Sequence, residues 1–344
     1  MRRPAFLVTV DTEGDDAWSR PREASTRNAA FVDRLQRLCE AVGWRPTWLV
    51  NHEMATCPVF TAFALRTQRE DTAEIGMHLH AWDSPPAFAL SPQDHRHQPF
   101  LVEYPPEIMD AKIGHMTRTL RERLGVVALS HRAGRWALDS TYARLLVRHG
   151  YRVDCSVTPH VSWRASRGAP DGRGGADYRG FPSHPYRMHL DRIAQEDAAS
   201  PLLEVPVTID RSPLHRAAPW AYGVPGLRRW AWRARPPVQW LYPNGTNLAG
   251  MQQAVRHALE RGAPCVQLVL HSPDLMPGGS PIARDATAVE ALYRDLLLLA
   301  REFSGRFDGL TLGEFAVRWA AWDGQAEGPA RTSRPTREAR GAAA

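Results

Sequence analysis

Short apolar runs of strand length alternate along the chain with longer segments of helical period. The first run, AFLVTV at 5–10, is almost continuously apolar, and a helical face of Phe31, Leu35 and Leu38 follows it. Near-continuous apolar strands are typical of a parallel sheet, because helices cover both of its faces. The pattern therefore predicts an α/β protein built from repeated strand–helix units.

Further runs of the same kind complete the predicted sheet. They cover residues 47–50, 73–78, 126–130, 151–156, 202–209, 264–271 and 307–312. A long helix is predicted over roughly 284–303, between the last two runs. Seven to eight parallel strands fit a (β/α) barrel that is distorted or incomplete. A doubly wound open sheet is the alternative fold, although no GxGxxG motif follows the first strand.

Three segments depart from this alternation. Residues 160–201 are rich in Gly, Pro and Arg, which predicts a long loop insertion. Residues 211–246, the Trp/Arg segment, interleave tryptophans with arginines. The tail at 324–344 lacks an apolar period, and we expect it to be disordered. The expected organisation is a single domain over 1–323, with an insertion at about 160–246.

The Trp/Arg segment has three interpretations. Tryptophan stacks on sugar rings and arginine binds phosphates, so the segment would surround a sugar or a diphosphate. It would also suit peripheral contact with a membrane that carries a lipid-linked substrate. The plainest interpretation is a well-packed insertion with arginines on its outer face. Its tryptophans are Trp220, Trp230, Trp232 and Trp240.

Composition excludes several classes of protein. The net charge is +6, but nearly all the cations are arginine and Lys112 is the sole lysine. We find no basic stripe, zinc-finger spacing or heptad, so no nucleic-acid partner is expected. No run of apolar residues is long enough for a transmembrane segment, and the run before Asp11 is too short for a secretory signal. Four scattered cysteines without a CxxC motif favour a cytoplasmic location.

Ionisable residues fall where predicted strands end. In parallel α/β barrels the chemistry is carried by side chains at the carboxyl ends of the strands. Five strands each bring at least one ionisable group to this expected rim. These residues are Asp11, Glu13, His78, His80, His131, Arg132, Asp154 and His271.

This set suits metal-assisted hydrolysis. His78 and His80 are two residues apart, so on extended backbone their side chains point the same way. Imidazoles with a carboxylate form an open zinc-type site, which polarises a carbonyl and acidifies water. A carboxylate beside the metal can take a proton, and a histidine across the pocket can give one to the leaving group. Taken singly, each residue could equally be an ordinary polar side chain at a strand end.

The motifs TVDTEG, EIGMHLHAWD, HRAGRW, DCSVTP and LVLHSPDLMPGGSP occur in this order along the chain. Together they resemble the polysaccharide deacetylases of the NodB-homology type, carbohydrate esterase family 4, over roughly residues 5–320. The continuation of the last motif, with WLYPNGTNL upstream, is most similar to the WalW-like branch linked to lipopolysaccharide biosynthesis. The resemblance implies a NodB-type distorted barrel and a hydrolase that removes an N-acetyl or other N-acyl group from an amino sugar.

The resemblance also implies roles for the first two motifs. Asp11 corresponds to the catalytic base and Glu13 to the metal carboxylate, although one residue separates them here. His78 matches the first histidine of the second motif. Trp82 occupies the position where the family has its second histidine, four residues on. His80 would then replace that ligand.

The later motifs supply the remaining roles. Arg132 would orient the base, and His271 would be the general acid, oriented by Asp154. Backbone N–H groups near the third motif would hold the oxyanion. We expect the residues in contact with substrate to be Trp82, Gly134, Arg135 and Trp136. The implied cofactor is a divalent metal, with zinc expected, and the implied substrate is an amino-sugar glycan, a lipopolysaccharide precursor, a sugar nucleotide or a lipid-linked glycan.

Two other functions stay open at the level of sequence. A related amidase or deformylase would act on a small non-sugar amide. A catalytically silent barrel would bind glycans without hydrolysing them, and the altered acid pair together with the missing second histidine favours this interpretation. Bound metal that is lost when His78 and His80 are both replaced by alanine would distinguish an enzyme from the silent barrel.

Overall fold

The computed structural model describes residues 3–212 and 237–326, together with residues 217, 224 and 226. The strands are β1 Ala5–Thr12, β2 Pro46–Val50, β3 Glu74–Leu79, β4 Ser130–Ala133, β5 Val153–Asp154, β6 Tyr186–Arg187, β7 Leu203–Glu204, β8 Ile209–Arg211, β9 Val238–Trp240, β10 Cys265–His271 and β11 Asp308–Leu310. The helices are α1 Val32–Ala41, α2 His52–Ala55, α3 Pro58–Arg69, α4 Asp94–His97, α5 Pro106–Leu124, α6 Ser140–Arg148, α7 Leu248–Glu260, α8 Ala286–Phe303 and α9 Leu312–Ala326.

One curled sheet forms the centre of the fold. Its strand order is β10-β1-β2-β3-β4-β5-β7-β6, and β11 pairs with the beginning of β1. All of these pairings are parallel except that of β6 with β7. The open side is bridged where Thr208 Oγ accepts a hydrogen bond from the Gln267 backbone N–H at 2.8 Å. The predicted fold, a distorted and incomplete (β/α) barrel, is confirmed.

Side chains alternate along β1 between the interior and the surrounding helices. Phe6 and Val10 belong to the main apolar cluster under the helices, whereas Ala5 and Leu7 belong to a separate cluster with residues of β5 and β7. Successive side chains of a strand point to opposite faces, so Asp11 lies on the same face as Ala5 and Leu7. This parity directs Asp11 into the barrel.

Helix α8 covers the sheet as its period predicts. Leu292, Leu296 and Leu299 lie on one helical face and are fully or almost fully buried. Burying a side chain of this size contributes about 1.5–3 kcal/mol. The helix begins at Asp285, whose carboxylate accepts the Ala288 backbone N–H at 2.9 Å. Its observed range is close to the predicted 284–303.

Two predicted strands were wrong in their bounds. The run at 126–130 does not form a strand as a whole, since Val127 is 69% exposed, and β4 takes the more polar SHRA instead. The run at 202–209 divides into β7 and β8. Pro206 lies between them and has no N–H to donate to a neighbouring strand.

The segments that break the alternation are described only in part. Residues 160–201 are irregular apart from β6 and isolated bridges such as Ser162 with Asp177. Most of the Trp/Arg segment lies outside the described residues, and Trp240 is the member of its four tryptophans that lies within them. Helix α9 extends to Ala326, beyond the predicted boundary at 324, and residues 327–344 lie outside the described part of the chain.

Candidate metal centre and catalytic residues

Glu13, His78 and His80 converge at the mouth of the barrel. The Nε2 atoms of the two histidines are 3.0 Å apart. Glu13 Oε2 lies 3.1 Å from His80 Nε2 and 3.7 Å from His78 Nε2. All three side chains are buried. Two imidazole nitrogens and a carboxylate oxygen within a few ångströms are a donor set that suits a divalent transition metal.

Hydrogen bonding prepares these groups to bind a cation. His78 Nδ1 donates to the Arg132 backbone carbonyl at 3.0 Å, which leaves the lone pair on Nε2 facing the centre. Burial raises the pKa of Glu13, but the neighbouring His78 and His80 outweigh it and hold that pKa well below its usual range. Glu13 is therefore ionised at neutral pH.

Trp82 packs against His80 and is not one of the three residues whose donor atoms form the cluster. Its ring stacks on the His80 ring, with centroids 4.4 Å apart and planes at 20°. His80 is thus the residue of the second motif that joins His78 and Glu13. A second group of donor atoms, from Glu53, His80 and Asp83, shares His80. Glu53 is only partly buried and Asp83 is exposed, so the fully buried set with Glu13 is the better cation site.

The loop that carries Trp82 is tied to α5 by Lys112. The Lys112 ammonium donates to the carbonyls of Ser84 at 2.5 Å and Pro86 at 2.7 Å. Its side chain is 1% exposed, and burial lowers its pKa to about 8. The single lysine of the sequence therefore fixes the backbone just after the two histidines.

Asp11 forms a buried ion pair with Arg132. Arg132 NH1 lies 2.6 Å from Asp11 Oδ1, while its NH2 donates to Thr9 Oγ and its Nε to the Cys155 carbonyl. Burial raises the pKa of Asp11, but the charges of Arg132 and of the nearby histidines lower it by a larger amount, so the net shift is downward. Asp11 is therefore held as a carboxylate in a fixed orientation at the mouth of the barrel.

His271 ends β10 on the other side of Asp11. Its Nε2 lies 3.7 Å from Asp11 Oδ2. Its Nδ1 lies 3.5 Å from Asp274 Oδ2 and 3.2 Å from the Tyr242 hydroxyl. Burial lowers the pKa of His271, but Asp274 and the charges of Glu13 and Asp11 raise it to about 9. His271 is therefore protonated at neutral pH.

The expected role of Asp154 needs correction. Its carboxylate binds His131 Nδ1 at 2.6 Å and Ser156, and the other His131 nitrogen lies 2.7 Å from the Tyr142 hydroxyl. The acidic side chains at His271 are instead Asp11 and Asp274. Asp154 is fully buried in a network behind the mouth, so it does not orient the histidine.

Asp274 was missed in the sequence. It lies three residues after His271, and its Oδ2 accepts both the His271 backbone N–H at 3.1 Å and the Tyr242 hydroxyl at 2.9 Å. Ser280 donates to its other oxygen at 2.6 Å. The signal was present in HSPDL, because an acid three residues after a polar residue is the spacing of a capping box.

The residues expected to contact substrate surround one cleft of about 1060 Å³. Trp82, Arg135 and Trp136 line it together with Asp11, Glu13, His78, His80 and His271. Gly134 lies behind the wall, where a Cβ would meet the Leu79 carbonyl oxygen at 2.4 Å and His80 Cδ2 at 2.7 Å. Only glycine permits β4 to approach β3 so closely at this point. Further aromatic residues of the lining are Trp18, Phe100, Trp163, Trp240 and Tyr242.

Comparison with known proteins supports the fold. No family model and no curated protein matches the sequence. A protein of Mycobacterium smegmatis assigned as a polysaccharide deacetylase is similar, with a TM-score of 0.53 and 14% identity over 97% of this chain and 96% of that one. A protein of Parabacteroides distasonis assigned as a glycoside hydrolase/deacetylase has a TM-score of 0.58 and 14% identity over 92% of this chain and 71% of its own.

These likenesses agree with the resemblance seen in the motifs. The fold is that of proteins assigned as deacetylases, and the predicted resemblance is confirmed at this level. Membership of the WalW-like branch stays a prediction. Within the described residues, no helix has the length and apolar character needed to cross a membrane.

Proposed function

We propose that the chain is a metal-dependent N-deacetylase that removes an acetyl or other acyl group from the nitrogen of an amino sugar. One observation carries the proposal: the Glu13–His78–His80 cluster, the Asp11–Arg132 pair and His271 all meet in one aromatic cleft. Metal-assisted amide hydrolysis uses a Lewis acid, a base and an acid around one carbonyl, and these groups, together with a bound metal, would fill those roles.

The donor set fits a divalent cation, with zinc the best match. Glu13, His78 and His80 would hold it, since their ligand atoms lie within 4.8 Å of one another and His78 Nε2 presents a lone pair. A bound cation would polarise the acyl carbonyl and acidify the attacking water. Three protein ligands leave positions open for substrate and water, as in catalytic zinc sites.

Asp11 would remove the proton from the attacking water. Its ion pair with Arg132 fixes the carboxylate and keeps it ionised. Water attack on the amide carbonyl gives a tetrahedral oxyanion, and backbone N–H groups near Gly134 and Arg135 would stabilise it. His271 then protonates the departing amine, because its raised pKa keeps it charged at neutral pH.

The finer assignments belong to the same proposal. A polysaccharide, a lipopolysaccharide precursor, a sugar nucleotide or a lipid-linked glycan would supply the amino sugar. A cytoplasmic location is supported by the four cysteines, which are all buried and unpaired. The aromatic lining of the cleft suits sugar rings, since tryptophan and tyrosine stack against their apolar faces.

A glycan-binding barrel without activity is the second candidate. The observation that favours it is the replacement of the family's second histidine by Trp82, which adds an aromatic face to the cleft. A related amidase or deformylase acting on a small amide is the third.

Metal content and acetate release separate these functions. The purified chain should hold about one zinc or similar ion, and a variant with His78 and His80 both replaced by alanine should lose it. Acetate should be released from at least one of a panel of N-acetylated sugar nucleotides and glycans. A chain that binds sugars but neither holds metal nor releases acetate would contradict the proposed enzyme.

A further inference from the structure

The cleft has an uneven distribution of charge. Asp11 and Glu13 are the carboxylates among its described lining residues, and both are engaged at the mouth of the barrel. Arg132 neutralises Asp11, and Glu13 faces two imidazoles. Two further cations, Arg20 and Arg135, line the same cleft. Within the described residues, no carboxylate lies within ion-pairing distance of either one.

Arg135 is held rigidly in this position. Its φ of 54° lies in the left-handed region, which residues with a side chain rarely adopt. The guanidinium lies 4.2 Å above the Phe100 ring and donates to the Arg167 carbonyl at 2.8 Å. The carbonyl of Gln98 accepts a hydrogen bond from NH1, the other terminal nitrogen of the guanidinium. The side chain is therefore fixed before any ligand binds.

These partners orient the charge of Arg135 without cancelling it. Carbonyl oxygens accept hydrogen bonds but carry no net charge. Burial, with the nearby charge of Arg20, outweighs the opposing charge of Glu103 and lowers the pKa of Arg135 to about 10, so the group remains a cation at neutral pH. A partly desolvated cation with no carboxylate in direct contact is unfavourable, and an anion at this point would relieve that penalty. Arginine binds phosphate and carboxylate groups through paired hydrogen bonds.

Aromatic side chains that line the same cleft as these arginines suit the sugar itself. The Trp136 and Trp240 rings are 6.0 Å apart, and the Trp163 and Trp240 rings are 6.2 Å apart. A sugar that stacks here would occupy the same cleft as the two cations.

We propose that Arg135, assisted by Arg20, forms an anion subsite in the cleft, and that the amino-sugar substrate carries a phosphate or carboxylate group next to the sugar that is deacylated. This inference rests on the proposed function. It narrows the substrate class to nucleoside-diphosphate sugars, sugar phosphates or glycans that contain uronic acids.

Calorimetry on the metal-loaded full chain tests the subsite without needing turnover. The ligands are neutral tri-N-acetylchitotriose, UDP-N-acetylglucosamine, N-acetylglucosamine 1-phosphate and a hyaluronan tetrasaccharide, so that phosphate and carboxylate are compared directly. We expect at least one anionic ligand to bind about tenfold more tightly than the neutral one, as charge-assisted hydrogen bonds provide. The difference should shrink as salt is added.

Variants assign the effect to the two arginines. Arg135→Met should weaken binding of the preferred anionic ligand about tenfold and that of the neutral ligand less than twofold. Arg135→Lys keeps the charge but not the planar pair of donors, so it should restore only part of the selectivity. Arg20→Met should have a smaller effect of the same kind. Arg301→Met, at an exposed position on α8, is the matched control and should change neither ligand.

Equal affinity for neutral and anionic ligands, or equal weakening of both by Arg135→Met in a folded variant, would overturn the anion subsite. Acetate release from the neutral trisaccharide alone would overturn it as well, while leaving the proposed deacetylase in place. Anion selectivity without acetate release from any ligand would instead contradict the deacetylase and support the subsite. Circular dichroism and thermal melting of each variant confirm that it is folded.

Discussion

Asp274 and His271 are joined through both side chain and backbone. Asp274 Oδ2 lies 3.5 Å from His271 Nδ1 and accepts the His271 backbone N–H at 3.1 Å. The carboxylate itself is fixed by the hydroxyls of Tyr242 and Ser280. The end of β10 therefore supplies the proposed acid, and the short turn that follows supplies the carboxylate that favours its protonated form.

The first prediction concerns the pH dependence of activity. Asp274 raises the pKa of His271, so Asp274→Asn should lower it and move the alkaline limb of kcat to lower pH, by about one unit or more. The acid must be protonated to act, so activity is lost as pH rises through this pKa. A pH–rate profile of acetate release measures the limb. Asp285→Asn, at the start of α8, is the control, and an unchanged limb in Asp274→Asn would contradict the role.

The raised pKa of His271 also makes the stability of the folded chain depend on pH. Its pKa is raised in the folded chain above the ordinary 6.5, so its contribution is fully present below about pH 6.5 and is lost as pH rises to about 9. In Asp274→Asn this contribution should largely disappear. Urea unfolding at pH 6 and pH 9 measures it, and the wild-type chain should lose more stability between these values than the variant does.

The second prediction separates the base from the metal site. Asp11→Asn should reduce turnover by about 10²–10⁴-fold, because the amide cannot take a proton from water. Metal content should persist, since Glu13, His78 and His80 are unchanged. Acetate release and elemental analysis provide the two measurements. Asp16→Asn, five residues further along, should retain both activity and metal, and loss of metal in Asp11→Asn would place Asp11 among the ligands.

The third prediction decides which residue replaces the family's second histidine. His80→Ala should weaken zinc binding by more than the 10–100-fold typical of losing an outer partner of a metal ligand. Trp82→Ala removes only the ring stacked on His80, so it should weaken binding about tenfold at most. Competition with a chromogenic chelator measures both affinities. A larger effect from Trp82→Ala than from His80→Ala would reverse the assignment.

The fourth prediction concerns the close approach of β4 to β3. Gly134→Ala places a methyl group 2.4 Å from the Leu79 carbonyl oxygen and 2.7 Å from His80 Cδ2, so the backbone and the His80 ring must shift. We expect a loss of about 1–3 kcal/mol in the free energy of unfolding, together with weaker metal binding. Gly180→Ala is the matched control, because no atom lies within 4 Å of its added Cβ. Equal stability of the two variants would show that the strands separate easily.

The fifth prediction tests the anchor of the loop after β3. Lys112→Met would leave the buried carbonyl of Ser84 and the part-buried carbonyl of Pro86 without their donor, at a cost of about 1–3 kcal/mol for the Ser84 carbonyl. Metal affinity should fall as well, since this loop carries Trp82 against His80. Thermal unfolding and chelator competition measure the two effects. A variant as stable as the wild type would show that water replaces the ammonium.

The sequence predicted the positions that follow from strand parity and motif order. Asp11, His78 and His271 end near-continuous apolar strands, and their placement at one mouth needed only the rule for parallel barrels. His80 also followed from its two-residue spacing to His78. These positions depend only on residues that are close in the sequence, so the motifs are enough to predict them.

Asp154 and Asp274 show where such reasoning ends. Asp154 ends β5 and Asp274 lies three residues after β10, and both are buried. The capping-box spacing marks Asp274, but it does not show which of the two carboxylates lies at His271. The difference arises from packing, since His131 lies beside Asp154 across β4 and β5, while the turn after β10 brings Asp274 back toward His271. The bounds of β4 and β7 were also wrong. The apolar run before β4 contains the exposed Val127, and the run that begins with β7 is interrupted at Pro206.

The buried position of Lys112 has a practical consequence for chemical biology. Because the sequence contains no other lysine, reagents that target primary amines have one side-chain candidate, and it is 1% exposed. Its lowered pKa would favour nucleophilic attack, but its burial excludes bulky reagents while the chain is folded. Fluorophores and cross-linkers of this type should therefore attach at the amino terminus alone, and label on Lys112 would report that the loop beside the metal site has opened.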